Sequence, residues 1–302
     1  MAGYLASMAV FAGLTALMAL GLNLIWGLAG MVNLGLVGFY AIGAYTTALL
    51  CVNFGWSPIA GIFAAVCLSA AIGCVVALVT ARLKGDYLAI VTLGFAEIVR
   101  LIAANEVWLT GGTTGISNIP SLPRSMLSPM QVNFVYAGLV WIVVAFVALL
   151  LGRVSAAPFG RVLRAIREDE MVASVAGKRV LRFKIQAFAV GAAVLGLAGG
   201  LYAHYVGYVA PDAFTPLITI AVVLALTAGG TGTMRGAIIG AVLVVTLTEG
   251  TRFLAPLLSG LSPVRIAALR EGLIGLCLIL ALSLRPTGLW PETLSKHPSE
   301  AS

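Results

Sequence analysis

Charge is scarce in this chain: 18 Lys and Arg and 11 Asp and Glu stand among 302 residues, 10 % in all, beside two histidines and four cysteines. So little charge excludes an ordinary soluble domain, because a water-facing surface of this size needs far more polar residues. The acids are few and matched by arginines, which excludes the paired carboxylates of acid-base enzymes; no nucleophile with an orienting His and Asp, and no HExxH pattern, is present. Cys51, Cys67, Cys74 and Cys277 lie in or beside apolar runs without metal-ligand spacing and read as small hydrophobes. His204 stands alone among aromatics and reads as an interfacial residue. There is no interleaving of bases and aromatics, hence no nucleic-acid partner, and no arginine ladder of a voltage sensor. The glycine-rich GGTGTMRG at 229–236 has no Lys-Ser or Lys-Thr after its final glycine, so it is not a phosphate loop. The chain therefore carries no nucleotide-hydrolysing motif and calls for no cofactor.

What is abundant is apolar length. Hydrophobic residues make up 61 % of the chain and the mean hydropathy is +1.07. Runs of about 20 apolar residues, enough to cross a bilayer as helix, recur along it. The expected fold is an all-α integral membrane protein, a polytopic bundle of about 8–10 transmembrane helices. Spans are predicted at 4–25, from Gly27 onward, 57–81, 85–103, 132–151, 185–206, 215–228, 236–254 and 266–284. The N-terminal run has no basic region before it and is too long for a signal peptide, so it reads as the first membrane helix.

The second segment, GLAGMVNLGLVGFYAIGAYTTALL, is rich in glycine and carries Asn33, Tyr40 and Tyr45. It reads either as a broken or re-entrant wall of a pathway or as a helix packed through Gly35, Gly38 and Gly43. In the fourth, Glu97 and Arg100 lie one turn apart, which fits either an intramembrane functional acid or an i, i+3 ion pair. Glu249 and Arg252 repeat that spacing. The longest polar connection, 105–131, reads as an external loop when spans are counted from Arg82 and Lys84. GLAG occurs twice, at 27–30 and 196–199, too short a match to establish a repeat.

The basic residues gather in one place. Arg153, Arg161, Arg164, Arg167, Lys178, Arg179, Arg182 and Lys184 accompany Glu168, Asp169 and Glu170 between the fifth and sixth spans. This segment, 153–184, is either a plain cytoplasmic loop that orients its neighbours or a short helix beside the membrane with Val162, Ile166, Val172, Ala173 and Ala176 on one apolar side. The whole reads as one transmembrane domain, 1–290, with a cytoplasmic tail at 291–302.

Several stretches resemble a known family: 19–45, 83–101, LTGGTTGI at 109–116, 160–203, AGGTGTMRGAIIGA at 228–241 and RPTGLW at 285–290. Together they look like the LivM-type permease of branched-chain amino-acid ATP-binding-cassette importers, over nearly the entire chain and in the same order. The most specific piece is Ala165-Ile166-Arg167-Glu168-Asp169-Glu170 with Gly177. The resemblance implies a bacterial plasma-membrane subunit that does no covalent chemistry and moves branched-chain amino acids, or in related systems urea and short amides, into the cell. It also implies a second, LivH-like permease, two cytoplasmic ATPase subunits and an extracytoplasmic substrate-binding protein as partners. The coupling helix that seats in the ATPase would be the 161–177 segment, with Arg164, Arg167, Glu168, Asp169, Glu170 and Gly177. The wider importer motif places a glutamate six residues before the glycine, where this chain has Met171. For the pathway of an aliphatic zwitterion, the polar residues inside interrupted spans are the candidates: Asn23, Asn33, Tyr45, Thr92 and Glu97.

Overall fold

The computed structural model describes residues 2–81, 83, 85–121 and 129–250, together with Gly272, Gly275, Leu276, Ser283, Gly288, Leu289, Trp290 and Glu292. Apolar runs become helices because a backbone inside lipid must satisfy its own hydrogen bonds. The order is α1 (Ala2–Leu22), α2 (Leu36–Asn53), α3 (Pro58–Val79), α4 (Asp86–Asn105), a short α5 (Val107–Thr110), α6 (Pro129–Ala156), α7 (Pro158–Glu168), α8 (Glu170–Val175), α9 (Val180–Val206), α10 (Pro216–Gly229) and α11 (Met234–Gly250). Seven segments among the described residues are long and apolar enough to cross a membrane, and α11, at 17 residues, is nearly so. The fold is that of an all-α polytopic membrane protein. Most of the span expected at 266–284, Arg252 and most of the tail lie outside the described residues.

Hydropathy and burial run opposite to a soluble protein. The apolar windows of α1 and α2 are 67 % buried and that of α9 is 61 % buried, whereas α3 and α4 are 28 % and α6 is 33 % buried. Yet α3 and α6 have the highest mean hydropathy, 2.7. Side chains such as Phe63, Val79, Ile90, Ile142 and Leu149 therefore point outward, the arrangement that lipid stabilises and water does not. The centre of the bundle is α1, α2 and α9.

Small residues bring those helices together. A Cβ on Gly43 would overlap the Gly196 carbonyl, and one on Gly199 would overlap the Tyr40 carbonyl oxygen. Neither obstacle is a flexible side chain, so backbone would have to move. Gly199→Ala is expected to destabilise the protein by about 3 kcal/mol, the upper range for overpacking a close contact. Gly94→Ala, where nothing lies within 4 Å, is expected to be silent. Thermal unfolding of the two variants in detergent separates them.

In the second segment the packing through small residues is present, and the backbone just before the helix is irregular. Gly38 packs against Ala96 and Gly43 against Gly196 inside a continuous α2, while the irregular backbone falls just before it. There α1 widens into a π-helical turn at Asn23–Leu28, and the chain runs irregularly from Ala29 until α2 begins at Leu36. That stretch is covered by protein: Leu34 N donates to Thr92 Oγ1 at 3.0 Å, and Asn33 is fully buried.

The charged elbow corrects the sequence reading. Rather than one helix, 161–177 holds the end of α7 and all of α8, separated at Asp169, whose φ of −151° and ψ of 109° break the α-helical path. The break resets the phase, so the buried side is Leu163, Ile166 and Ala173, while Val172 is 64 % exposed and Ala176 is also exposed. Arg182 and Lys184 are already helical, because α9 starts at Val180, and α6 runs past its expected end to Ala156.

At the opposite end, the loop after α4 is pinned to the end of α9. Ile116 and Val209 exchange two backbone hydrogen bonds of 2.8 and 3.0 Å, and Tyr208 donates its hydroxyl to Thr114 O at 2.9 Å. His204 is fully buried rather than interfacial, with Nδ1 2.6 Å from Pro120 O. The loop carries the histidine inward by covering it. Residues 122–128 lie outside the described residues.

Candidate functional site

Three features stand out: a cavity between the helices, an exposed elbow at the basic end, and the junction beside the elbow. The cavity holds about 300 Å³ and is lined by Phe11, Leu14, Thr15 and Met18 of α1, Tyr40 of α2, Tyr202 of α9, Ile218, Ala221 and Val222 of α10, and Val244, Val245 and Thr248 of α11, with Ala213. Its wall is apolar and aromatic with a few hydroxyls, which suits an aliphatic guest that carries polar groups at one end. Tyr40, Tyr202 and Phe214 pack ring against ring behind it, with centroids 5.4 to 6.1 Å apart. Beside them Tyr45 is buried, its ring 5.8 Å from Phe214 and its hydroxyl without a hydrogen-bond partner among the described residues.

None of the five polar residues expected to line a pathway is in this wall. Thr92 clasps the irregular segment, its hydroxyl close to Leu88 O while accepting from Leu34 N. Asn33 Oδ1 accepts from Gly35 N at 2.8 Å, and its Nδ2 has no hydrogen-bond partner among the described residues. Glu97 pairs with Arg100, Nε to Oε2 at 2.9 Å, on the partly exposed side of α4. Asn23 Oδ1 accepts from Gly232 N at 2.8 Å and so ties α1 to the loop between α10 and α11. Sequence reasoning missed Tyr40 and Tyr202, although GFYAIGAY and GLAGGLYAHY both set aromatics among glycines. That pattern is the signal: small residues let helices close in, and a large ring beside them has to face a space.

The elbow is built by local rules. Asp169 caps α8, accepting from Met171 N at 2.8 Å and Val172 N at 3.0 Å, and a capping carboxylate is worth about 1 kcal/mol. Gly177, at φ +78°, ends the turn, with Lys178 N donating to Ala173 O at 3.1 Å. Glu170 pairs with Lys184 of α9 at 2.8 Å, which moors α8 to the bundle. Outward, Met171, Val172 and Val175 are 76, 64 and 85 % exposed. Next to them a groove of about 460 Å³ is lined mainly by apolar side chains, Pro158, Val162, Ala165, Val172, Ala173 and Ala176, with Arg161, Glu168, Asp169 and Lys178 among them. An apolar surface edged by charged residues is the composition of an interface core and its rim.

Of the six residues expected in the elbow's contact set, Glu168, Asp169 and Gly177 are exposed, Glu170 is engaged with Lys184, and the two arginines turn inward. Arg164 lies 3.7 Å and Arg167 2.9 Å from the carboxylate of Glu292, and Arg167 Nη1 also donates to the Gly27 carbonyl.

Comparison with known proteins accords with this architecture. The family model described as branched-chain amino acid transport system / permease component matches residues 4–282. The chain is 35 % identical to the high-affinity branched-chain amino acid transport system permease protein LivM of Salmonella typhimurium, across 92 % of this chain and 68 % of that protein. A probable LivM of Methanocaldococcus jannaschii is 31 % identical across 93 % of this chain and 91 % of its own length. The LivH permease of Escherichia coli is 26 % identical across 91 % and 90 %. No solved structure matches. Seven apolar spans, a match over nearly the full described bundle and 35 % identity to LivM place the conclusion beyond composition: this chain belongs to the permease-component family of branched-chain amino acid transport systems.

Proposed function

We propose that the chain is a permease subunit of an ATP-binding-cassette importer that carries branched-chain aliphatic amino acids into the cytoplasm of a bacterial cell, the elbow side being cytoplasmic. The observation that carries this reading is the exposed apolar ridge of Met171, Val172 and Val175 on a capped, moored helix at the basic end. Such a surface in water is unfavourable alone and is stabilised by a partner. In this reading the partner is a separate ATPase, whose movement on binding ATP tilts the elbow. The relatives LivM and LivH are both permeases of one kind of system, which supports pairing of this chain with a second, related permease. A binding protein on the far side delivers the amino acid, and the pinned loop around Ile116 offers it a rigid platform. The aliphatic side chain of the substrate passes along the cavity of α1, α10 and α11, where Tyr40, Thr15 and Thr248 supply the polar contacts. The permease performs no covalent step. It changes shape because ATPase and substrate bind its two conformations unequally.

Uptake of radiolabelled leucine by proteoliposomes tests this directly. Uptake is expected only with the second permease, the ATPase, enclosed ATP and the binding protein all present. Uptake by the chain alone would make it a channel or secondary carrier instead.

A further inference from the structure

The basic end holds a junction that neither the elbow nor the cavity explains by itself. Arg167 sits on the last turn of α7, and its guanidinium reaches two places that are remote in sequence: the Gly27 carbonyl in the π-helical turn of α1, and Glu292 Oε2 at 2.9 Å. Glu292 is held in turn. Leu289 N and Trp290 N donate to Ala228 O and Gly229 O at 2.9 and 2.8 Å, Thr233 Oγ1 donates to Trp290 O at 2.9 Å, and the Arg235 guanidinium lies 6.0 Å from the Trp290 ring centre. Leu289 and Trp290 are thus fastened across the α10–α11 junction. That junction is itself tied to α1 through Asn23 and Gly232.

The backbone around the guanidinium is shaped for it. Gly30, at φ +70°, comes so near that a Cβ there would stand 2.9 Å from Arg167 Cγ. Gly232, at φ +86°, would place one 2.6 Å from Glu292 Oε2 and 3.3 Å from Arg167 Nη1. Arg167 and Glu292 keep only 24 % and 18 % of their side-chain exposure, so the pair is partly desolvated and counts for more than a surface ion pair. A cavity of about 210 Å³ beside it, bounded by Gly30, Met31, Leu88 and Ile166, leaves α7 room to tilt.

We infer that Arg167 and Glu292 form a latch that passes motion of the elbow to the helices lining the cavity, so that Arg167 is a positioning residue and not a contact to the ATPase. Of the elements that line the cavity, α1 is gripped at Gly27 and α10 and α11 at their shared junction, so one guanidinium reaches the ends of three walls. The inference rests on the importer reading above. A rigid-body tilt of α7 pulls on Gly27 and Glu292 together, because the planar guanidinium holds one through each of its two terminal nitrogens and a single contact would pivot.

The test is made in the complete reconstituted transporter. Arg167→Ala is expected to assemble with the ATPase at wild-type affinity while the leucine taken up per ATP hydrolysed falls about tenfold, within the usual range of coupling between sites. Glu292→Gln, a milder change that leaves α7 untouched, is expected to lower the same ratio by a smaller factor and decides the matter should Arg167→Ala fail to fold. A weakened ATPase affinity in Arg167→Ala, or an unchanged ratio in both variants, overturns the latch. Absence of ATP-driven uptake by the wild-type complex overturns the importer reading and the latch with it.

Discussion

Replacing Met171 and Val175 together by aspartate is expected to weaken association with the ATPase at least about a hundredfold while the chain still folds into the membrane. Both side chains are mostly uncovered by the rest of the chain, at 76 and 85 % exposure, so the substitutions cost the fold little. In the complex they would become buried charges without partners. Such a charge costs about 3–5 kcal/mol, and about 1.4 kcal/mol is a factor of ten in affinity. Co-purification with the ATPase at graded protein concentration measures the loss. Retention at wild-type affinity would show that the ATPase grips elsewhere. The acidic residues of the elbow divide differently. Reversing Glu170 removes its ion pair with Lys184, and reversing Asp169 removes the cap of α8, so each loosens the elbow from within as well as altering its surface.

The second large effect concerns the passage. Ala221 lines the cavity from α10 together with Leu14 and Val245, and Ala221→Trp is expected to fill roughly half of its 300 Å³ and obstruct the rest. Leucine uptake should then fall at least about a hundredfold, because an indole packed among Tyr40, Tyr202 and Met18 cannot move aside in a close-packed interior. ATPase association and binding-protein-stimulated hydrolysis should persist, since neither the elbow nor its latch is touched. Parallel assays of uptake and hydrolysis separate the two. Undiminished uptake would remove this cavity from the pathway.

Much of the bundle is legible from composition because lipid imposes a simple demand: a long apolar run has one stable backbone form. The spans follow from it, and so does the Glu97–Arg100 pair, whose i, i+3 spacing is local. The departures arise where the partner is far along the chain. Arg167 meets Glu292 across 125 positions and Asn23 meets Gly232 across 209, and neither leaves a periodic trace. His204 looks interfacial until the loop at Pro120 closes over it. The break at Asp169 was written in the sequence as an acid followed by Glu170 at the head of a new turn, a capping pattern hidden by the regular apolar spacing around it. In the glycine-rich second segment small residues serve close packing in α2, while the backbone just before it is irregular.

In the proposed reading an importer's motor pushes this bundle from the cytoplasmic side through the elbow. A single cysteine at Val175, in a chain whose own cysteines have been replaced, reports on this through a membrane-impermeant maleimide. The label is expected to react in inside-out vesicles and not in intact spheroplasts, and to be blocked when the ATPase is bound. Reaction from the outer face, or labelling that the ATPase leaves unchanged, would mean that no motor grips the elbow from the cytoplasm.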